Sequence, residues 1–331
     1  MLHGVCRAQR VPILILMAML LVLSACQPMR GRTDQSANST VHWIDPQATD
    51  ASIDDWLEPH IAIPPVSPQQ GRLFVFLPGS FGQPRHQLLI LEQAAISGYH
   101  AIGLRYPNRW TINNLCEPTD DPACFEQTRS EILTGADRTP LIAITPANSI
   151  YNRLTKLLTY LDTTFPNEGW GQFLDSTGEP RWSLISVGGH SQGGGHAALL
   201  GKQVALARVC IFSAPADSLL IKRQRVIAPW LSQAGATPSS AYYGLVHEPP
   251  VERTYTERGV VPSGQRNCPV NRAGILESIA AMINAGIWPV VRIASMMENT
   301  VNVRAILTSR TAVCEPACMF RHLQLLWMAT E

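Results

Sequence analysis

Charge is scarce in this 331-residue chain: Asp, Glu, Lys and Arg make up 15%, and 26 basic against 25 acidic residues leave a net charge of +1. No Lys/Arg-rich run occurs, so the electrostatic footprint that nucleic-acid binding requires is missing, and that partner is excluded. Beyond the N-terminal region no apolar segment reaches the roughly 18 residues that a membrane-crossing helix needs. Internal repeats and low-complexity tracts are absent, which sets aside solenoids and long disordered linkers. Hydrophobic residues make up 46%, enough for a large core, and the length suits two domains or one large α/β domain.

The N-terminus carries an address. Arg7 and Arg10 precede an apolar run, Val11–Leu23, interrupted only by Pro12. As a helix this run spans roughly 20 Å, short of the hydrocarbon core of a bilayer, so it reads as a signal rather than an anchor. Leu23-Ser24-Ala25-Cys26 follows. It resembles the lipobox of bacterial lipoproteins, in which cleavage precedes the cysteine and its thiol is lipidated. The resemblance implies a signal peptide over 1–25 and a membrane attachment through a lipid on Cys26. With Gln27 next, it also implies a cell-envelope lipoprotein of the outer membrane, facing the periplasm.

Export changes what the cysteines mean, because an oxidising compartment permits disulfides. Setting aside Cys6 and Cys26 leaves Cys116, Cys124, Cys210, Cys268, Cys314 and Cys318. Cys116 and Cys124 flank a polar, turn-forming stretch and are expected to bridge. Cys210 lies in an apolar strand-like segment and is expected to be a core thiol. One further bridge is expected among Cys268, Cys314 and Cys318, with the pair left open. The spacing Cys314-x3-Cys318-x3-His322 also matches zinc ligation, but export favours disulfides over thiolate zinc, so no metal is expected.

Residues 26–70 are polar and then Pro-rich, and read as a tether and domain edge; 71–331 read as one α/β domain. From Arg72 onward strands and helices alternate. Strands are expected at Leu73–Leu77, Tyr99–Leu104, Trp182–Val187, Val209–Phe212, Tyr242–Val246 and Val301–Leu307. Helices are expected over His86–Ser97, Asn148–Leu161, Ala197–Ala207 and Gly274–Ala285, with a short one from about His322 and a long loop around the Cys116/Cys124 pair. Such alternation argues for a mostly parallel sheet covered by helices on both faces.

The richest motif is Gly189-His190-Ser191-Gln192-Gly193, between an apolar strand and an Ala/Leu-rich helix. A nucleophile elbow needs this context: the serine occupies strained backbone at a sharp turn, and side chains two residues away on either side would collide. Gly193-x-Gly195-x-x-Ala198 also matches a dinucleotide fingerprint, but that motif normally opens the first βαβ unit, whereas here several elements precede it.

Together with Phe76-Leu-Pro-Gly79, Gly98-Tyr-His-Ala-Ile-Gly-Leu-Arg-Tyr-Pro107, Asn148-Ser-Ile-Tyr-Asn-Arg-Leu154 and Gly188-Gly-His-Ser-Gln-Gly-Gly-Gly-His-Ala197, the elbow resembles the α/β-hydrolase superfamily, in particular exported bacterial hydrolases. The likeness runs from about residue 70 to 250 and fades in the C-terminal third. It implies an α/β-hydrolase fold and a serine esterase- or lipase-like reaction on a small-molecule or lipid ester, without metal or cofactor. The backbone N–H of Gln192, with that of Ser80 or Phe81, would form the oxyanion hole. The superfamily order nucleophile–acid–histidine puts the base at His322, with His247 as the other candidate. Asp217 is preferred to Glu248 as the acid, because the Pro215-containing turn suits a short carboxylate. A competing possibility is an inactive hydrolase-fold envelope lipoprotein with a binding role, suggested by the irregular C-terminal third.

Overall fold

A computed structural model describes residues 40–66, 68–248 and 292–295; the side chains of 245–248 and 292–295 are not described. The sheet is built from β1 (His42–Ile44), β2 (His60–Ile63), β3 (Leu73–Leu77), β4 (His100–Gly103), β5 (Ile185–His190), β6 (Arg208–Phe212), β9 (Tyr242–Glu248) and β10 (Arg292–Ser295). A separate hairpin, β7 (Ser218–Ile221) with β8 (Gln224–Ile227), follows β6. The sheet order is β1-β2-β4-β3-β5-β6-β9-β10. The β1–β2 and β2–β4 pairs are antiparallel and every later pair is parallel.

Both faces of this sheet are covered, as the apolar strands demand. In β3 all five residues are buried, and the two-residue period splits them. Phe74 and Phe76 pack with Ile90, Leu91, Ala94 and Ala95 of α1 (Leu88–Ile96). Leu73, Val75 and Leu77 join the larger core on the other face, with residues of α2 (Cys124–Thr134), α3 (Ile150–Thr164) and α4 (Gln192–Gln203). The crossed strand order, the antiparallel start and the helices on both faces make this an α/β-hydrolase fold.

The sheet starts earlier than the sequence suggested. β1 and β2 lie within the stretch read as a tether and domain edge; both are short and sit among prolines, which hides the strand pattern. Helix α2 also lies where a loop was expected. Its buried face includes Thr128, Arg129 and Glu131 beside Phe125, Ile132 and Leu133, so hydrophobic periodicity does not mark it. The expected Cys116–Cys124 bridge is present. Cys210 pairs across from Gly188 in the sheet and is half-buried rather than fully buried. The expected helix at Gly274–Ala285, strand at Val301–Leu307 and short helix at His322 lie outside the described residues, as do the signal, Cys26, Cys268, Cys314 and Cys318.

Candidate active site

Strand β5 ends at His190 and α4 begins at Gln192, so Ser191 alone makes the turn between them. Its backbone sits at φ 52° and ψ −120°, a region that non-glycine residues occupy only when their surroundings impose it. Here the Ser191 N–H donates to the carbonyl of Phe212 at 2.8 Å, and its carbonyl accepts from the Gly195 N–H at 3.2 Å. The flanking glycines are required by contact. A Cβ on Gly189 would strike the backbone of Gly193, and a Cβ on Gly193 would strike the carbonyls of Leu77 and Pro78. Ser191 is exposed at the carboxyl edge of the sheet, where open α/β folds place their ligands.

The close approach of Gly193 to the end of β3 brings the turn Pro78–Gly82 against the elbow. A Cβ on Gly79 would lie 3.3 Å from the Cβ of Ser191. The hydroxyl of Ser80 donates to Oε1 of Gln192 at 2.9 Å, tying the turn to the first residue of α4. Of the two turn N–H groups considered for the oxyanion hole, that of Phe81 donates to the carbonyl of Asn108 at 2.8 Å. The N–H of Ser80 has no acceptor among the described residues. The Gln192 N–H, at the first position of α4, has no intrahelical acceptor to reach. Ser191, Ser80 and Gln192 therefore lie together at the end of the sheet.

Asp217 does not join them. Its carboxylate is fully buried and gripped by Arg129, Nε to Oδ2 at 2.7 Å and Nη2 to Oδ1 at 2.5 Å, while Trp230 Nε1 donates to Oδ2 at 3.0 Å. The remaining nitrogen of Arg129, Nη1, donates to the carbonyl of Gln192 at 3.0 Å, and a Cβ on Gly195 would strike the guanidinium. The carboxylate expected to orient a histidine is thus engaged in neutralising an arginine beneath α4. Glu248, the other candidate acid, ends β9. Leu245 of that strand pairs with Phe212, which pairs with His190, so Glu248 stands at the same carboxyl edge as Ser191. His247 lies in β9 opposite Ala294. His322 lies outside the described residues.

His190 and His196, on either side of Ser191 in the chain, both have lowered pKa values. His196 is fully buried, neither ring nitrogen has a partner among the described residues, and its ring packs edge-on against Tyr106 at 5.4 Å. Burial, and next the charge of Arg129, push its pKa well below the ordinary value. Burial likewise lowers that of His190.

Sequence reasoning assigned no role to the residues that support the turn. Arg105, Tyr106 and Asn108 follow β4 and are all fully buried. Behind them Arg153 donates to the carbonyls of Asn148 at 2.9 Å, Trp56 at 3.2 Å and Arg105 at 3.3 Å, and to that of Asp55. The only signal for this layer was the pair of motifs at 98–107 and 148–154, which carried resemblance but no geometry.

No protein-family model matches this chain, and no curated protein matches it. Solved structures do. An S-formylglutathione hydrolase from Agrobacterium tumefaciens is 13% identical with a TM-score of 0.40, covering 78% of this chain and 86% of that one. Carboxyl esterase 2 from the fungus Tuber melanosporum is 11% identical with a TM-score of 0.39, covering 84% and 86%. A dienelactone hydrolase from Anabaena variabilis is 11% identical with a TM-score of 0.36, covering 87% and 95%.

Proposed function

We propose that this protein is a serine hydrolase that cleaves a carboxylic ester or related acyl bond through an acyl-enzyme. The observation that carries the reading is the exposed Ser191 at its strained turn, directly before the N-terminus of α4 and against the turn that carries Ser80. Ser191 Oγ attacks the carbonyl carbon as His322 removes its proton. The tetrahedral oxyanion accepts hydrogen bonds from the Ser80 and Gln192 N–H groups, aided by the positive end of α4. The protonated imidazole then gives its proton to the leaving alcohol, and water repeats the sequence on the acyl-enzyme. The burial of Asp217 against Arg129 favours Glu248 as the acid that orients and stabilises the imidazolium. The protein acts on a small-molecule or lipid ester, anchored in the cell envelope by a lipid on Cys26.

A fluorophosphonate probe followed by peptide mapping tests the mechanism. Ser191 is expected to be modified, and Ser191→Ala is expected to abolish both labelling and hydrolysis of short p-nitrophenyl esters while the fold is retained. His322→Ala and Glu248→Gln are expected to lower turnover by orders of magnitude, with His247→Ala mild. An unlabelled, inactive wild type would favour a binding protein instead. Mass analysis of the mature N-terminus tests the anchor: an unmodified terminus away from Cys26 would refute it.

A further inference from the structure

We propose that Asn108 is a positioning residue for the oxyanion hole, holding the turn Pro78–Gly82 in the one shape that leaves the Ser80 N–H free; this rests on the serine-hydrolase reading above. Asn108 is fully buried and touches the turn on both sides of Ser80 but not at Ser80. Its Nδ2 donates to the carbonyl of Gly79 at 2.6 Å and to that of Gly82 at 3.0 Å. Its own carbonyl accepts the Phe81 N–H at 2.8 Å. The side-chain amide is oriented from behind, because Oδ1 accepts from Arg105 Nη1 at 3.1 Å while the same nitrogen donates to the Gly82 carbonyl at 2.6 Å. Tyr106 completes the clamp, its hydroxyl donating to the carbonyl of Pro78 at 2.5 Å.

The turn shows the constraint. Phe81 lies at φ 60°, in the left-handed region that non-glycine residues avoid, and the residue is 62% exposed. Packing of the phenyl ring therefore does not impose that backbone. The Phe81 N–H is held by the backbone carbonyl of Asn108, a contact that any residue at 108 would keep; what the asparagine side chain adds is the pair of bonds to the Gly79 and Gly82 carbonyls on either side of Ser80. An asparagine suits this place because one nitrogen supplies two N–H donors for two converging carbonyls, while the oxygen on the same plane meets a guanidinium. Aspartate has the same shape but would face both carbonyls with a lone pair. A displaced turn would move the Ser80 N–H from the position that the oxyanion occupies, and misplacement by about 1 Å costs on the order of 100-fold in rate.

The experiment compares wild type, Asn108→Ala and Asn108→Asp for kcat, KM, inhibition by a trifluoromethyl ketone, and fluorophosphonate labelling. Both variants are expected to lose about 10- to 100-fold in kcat, and a similar factor in affinity for the ketone, which binds as a tetrahedral oxyanion. KM is expected to change less than about threefold and the pH profile not to move, since the ground-state ester and the base are untouched. If Asn108→Ala does not fold, Tyr106→Phe, which removes only the hydroxyl on Pro78, is expected to show the same split in smaller measure. Folded variants with wild-type kcat and ketone affinity would overturn the proposal while Ser191 labelling upheld the hydrolase reading. A wild type that neither labels nor turns over would overturn both.

Discussion

Arg105 and Arg129 each bring a buried guanidinium to a backbone carbonyl beside the elbow, and they are neutralised in opposite ways. Arg105 serves the turn after β3 through the Gly82 carbonyl, and its partner Glu58 keeps 41% of its side chain in solvent. Arg129 serves α4 through the Gln192 carbonyl, and its partner Asp217 keeps none. Glu58 lies at the surface, where water screens its charge, and Arg105 also feels the carboxylate of Asp55, so losing the Glu58 charge costs little. Asp217 has given up all of its hydration, and only the bonds from Arg129 and Trp230 compensate. Two arginines with similar duties thus differ in how much the fold depends on their partners, and the acidic residue that looks most catalytic in the sequence is the one that the fold cannot release.

The sharpest way to break this contrast is Asp217→Asn. Removing one charge from a sealed pair leaves Arg129 uncompensated and is expected to cost about 3–5 kcal/mol of stability, read by denaturant or thermal unfolding. A loss under about 1 kcal/mol, together with lost turnover, would return Asp217 to the catalytic role. Acidification should have the next largest effect. His60 and His196 are fully buried, with pKa values pushed well below the ordinary range by burial, then by Arg153 and Arg105 for His60 and by Arg129 for His196. The folded rings stay neutral while the unfolded ones take up protons below about pH 6.5. Stability therefore falls with pH there, by about 1.4 kcal/mol per pH unit for each ring. His196→Phe should flatten that slope in equilibrium unfolding across pH 4 to 7; an unchanged slope would mean the ring is not buried neutral.

Glu58→Gln should do least. Burial raises the Glu58 carboxyl, but the hydrogen bond and charge of Arg105 outweigh this, so its pKa lies below the ordinary value. A carboxylate depressed in the fold adds stability above its unfolded pKa and loses it as pH falls through the folded one. Glutamine keeps an acceptor for Arg105 Nε and water screens the exposed carboxylate, so the loss near neutral pH should stay below about 1 kcal/mol. The difference from wild type should vanish in acid, and a difference that persisted there would point to packing rather than charge.

How much of this could be read beforehand follows from how local each feature is. Strand β3 matches its expected span residue for residue, because a short, wholly apolar run ended by Pro78-Gly79 has few other conformations. The bridge between Cys116 and Cys124 was legible because only seven residues of turn-forming chain lie between them. Helix α2 escaped because its inward face carries an arginine and a glutamate whose partners lie elsewhere in the chain. β1 and β2 escaped because strands this short take their identity from the neighbours they pair with.

The elbow itself belongs to the amino-acid sequence. Ser191 between glycines at 189 and 193 allows the turn, since the clashes that any larger side chain would meet lie within a few residues or at the adjoining strand end. Which N–H is left open and which carboxylate is sealed were decided only in three dimensions. The Phe81 N–H is taken by Asn108, and Asp217 is taken by Arg129, a partner 88 residues away. A residue's type states what it can donate or accept, and only the assembled sheet brings distant groups within the roughly 3 Å at which hydrogen bonds form.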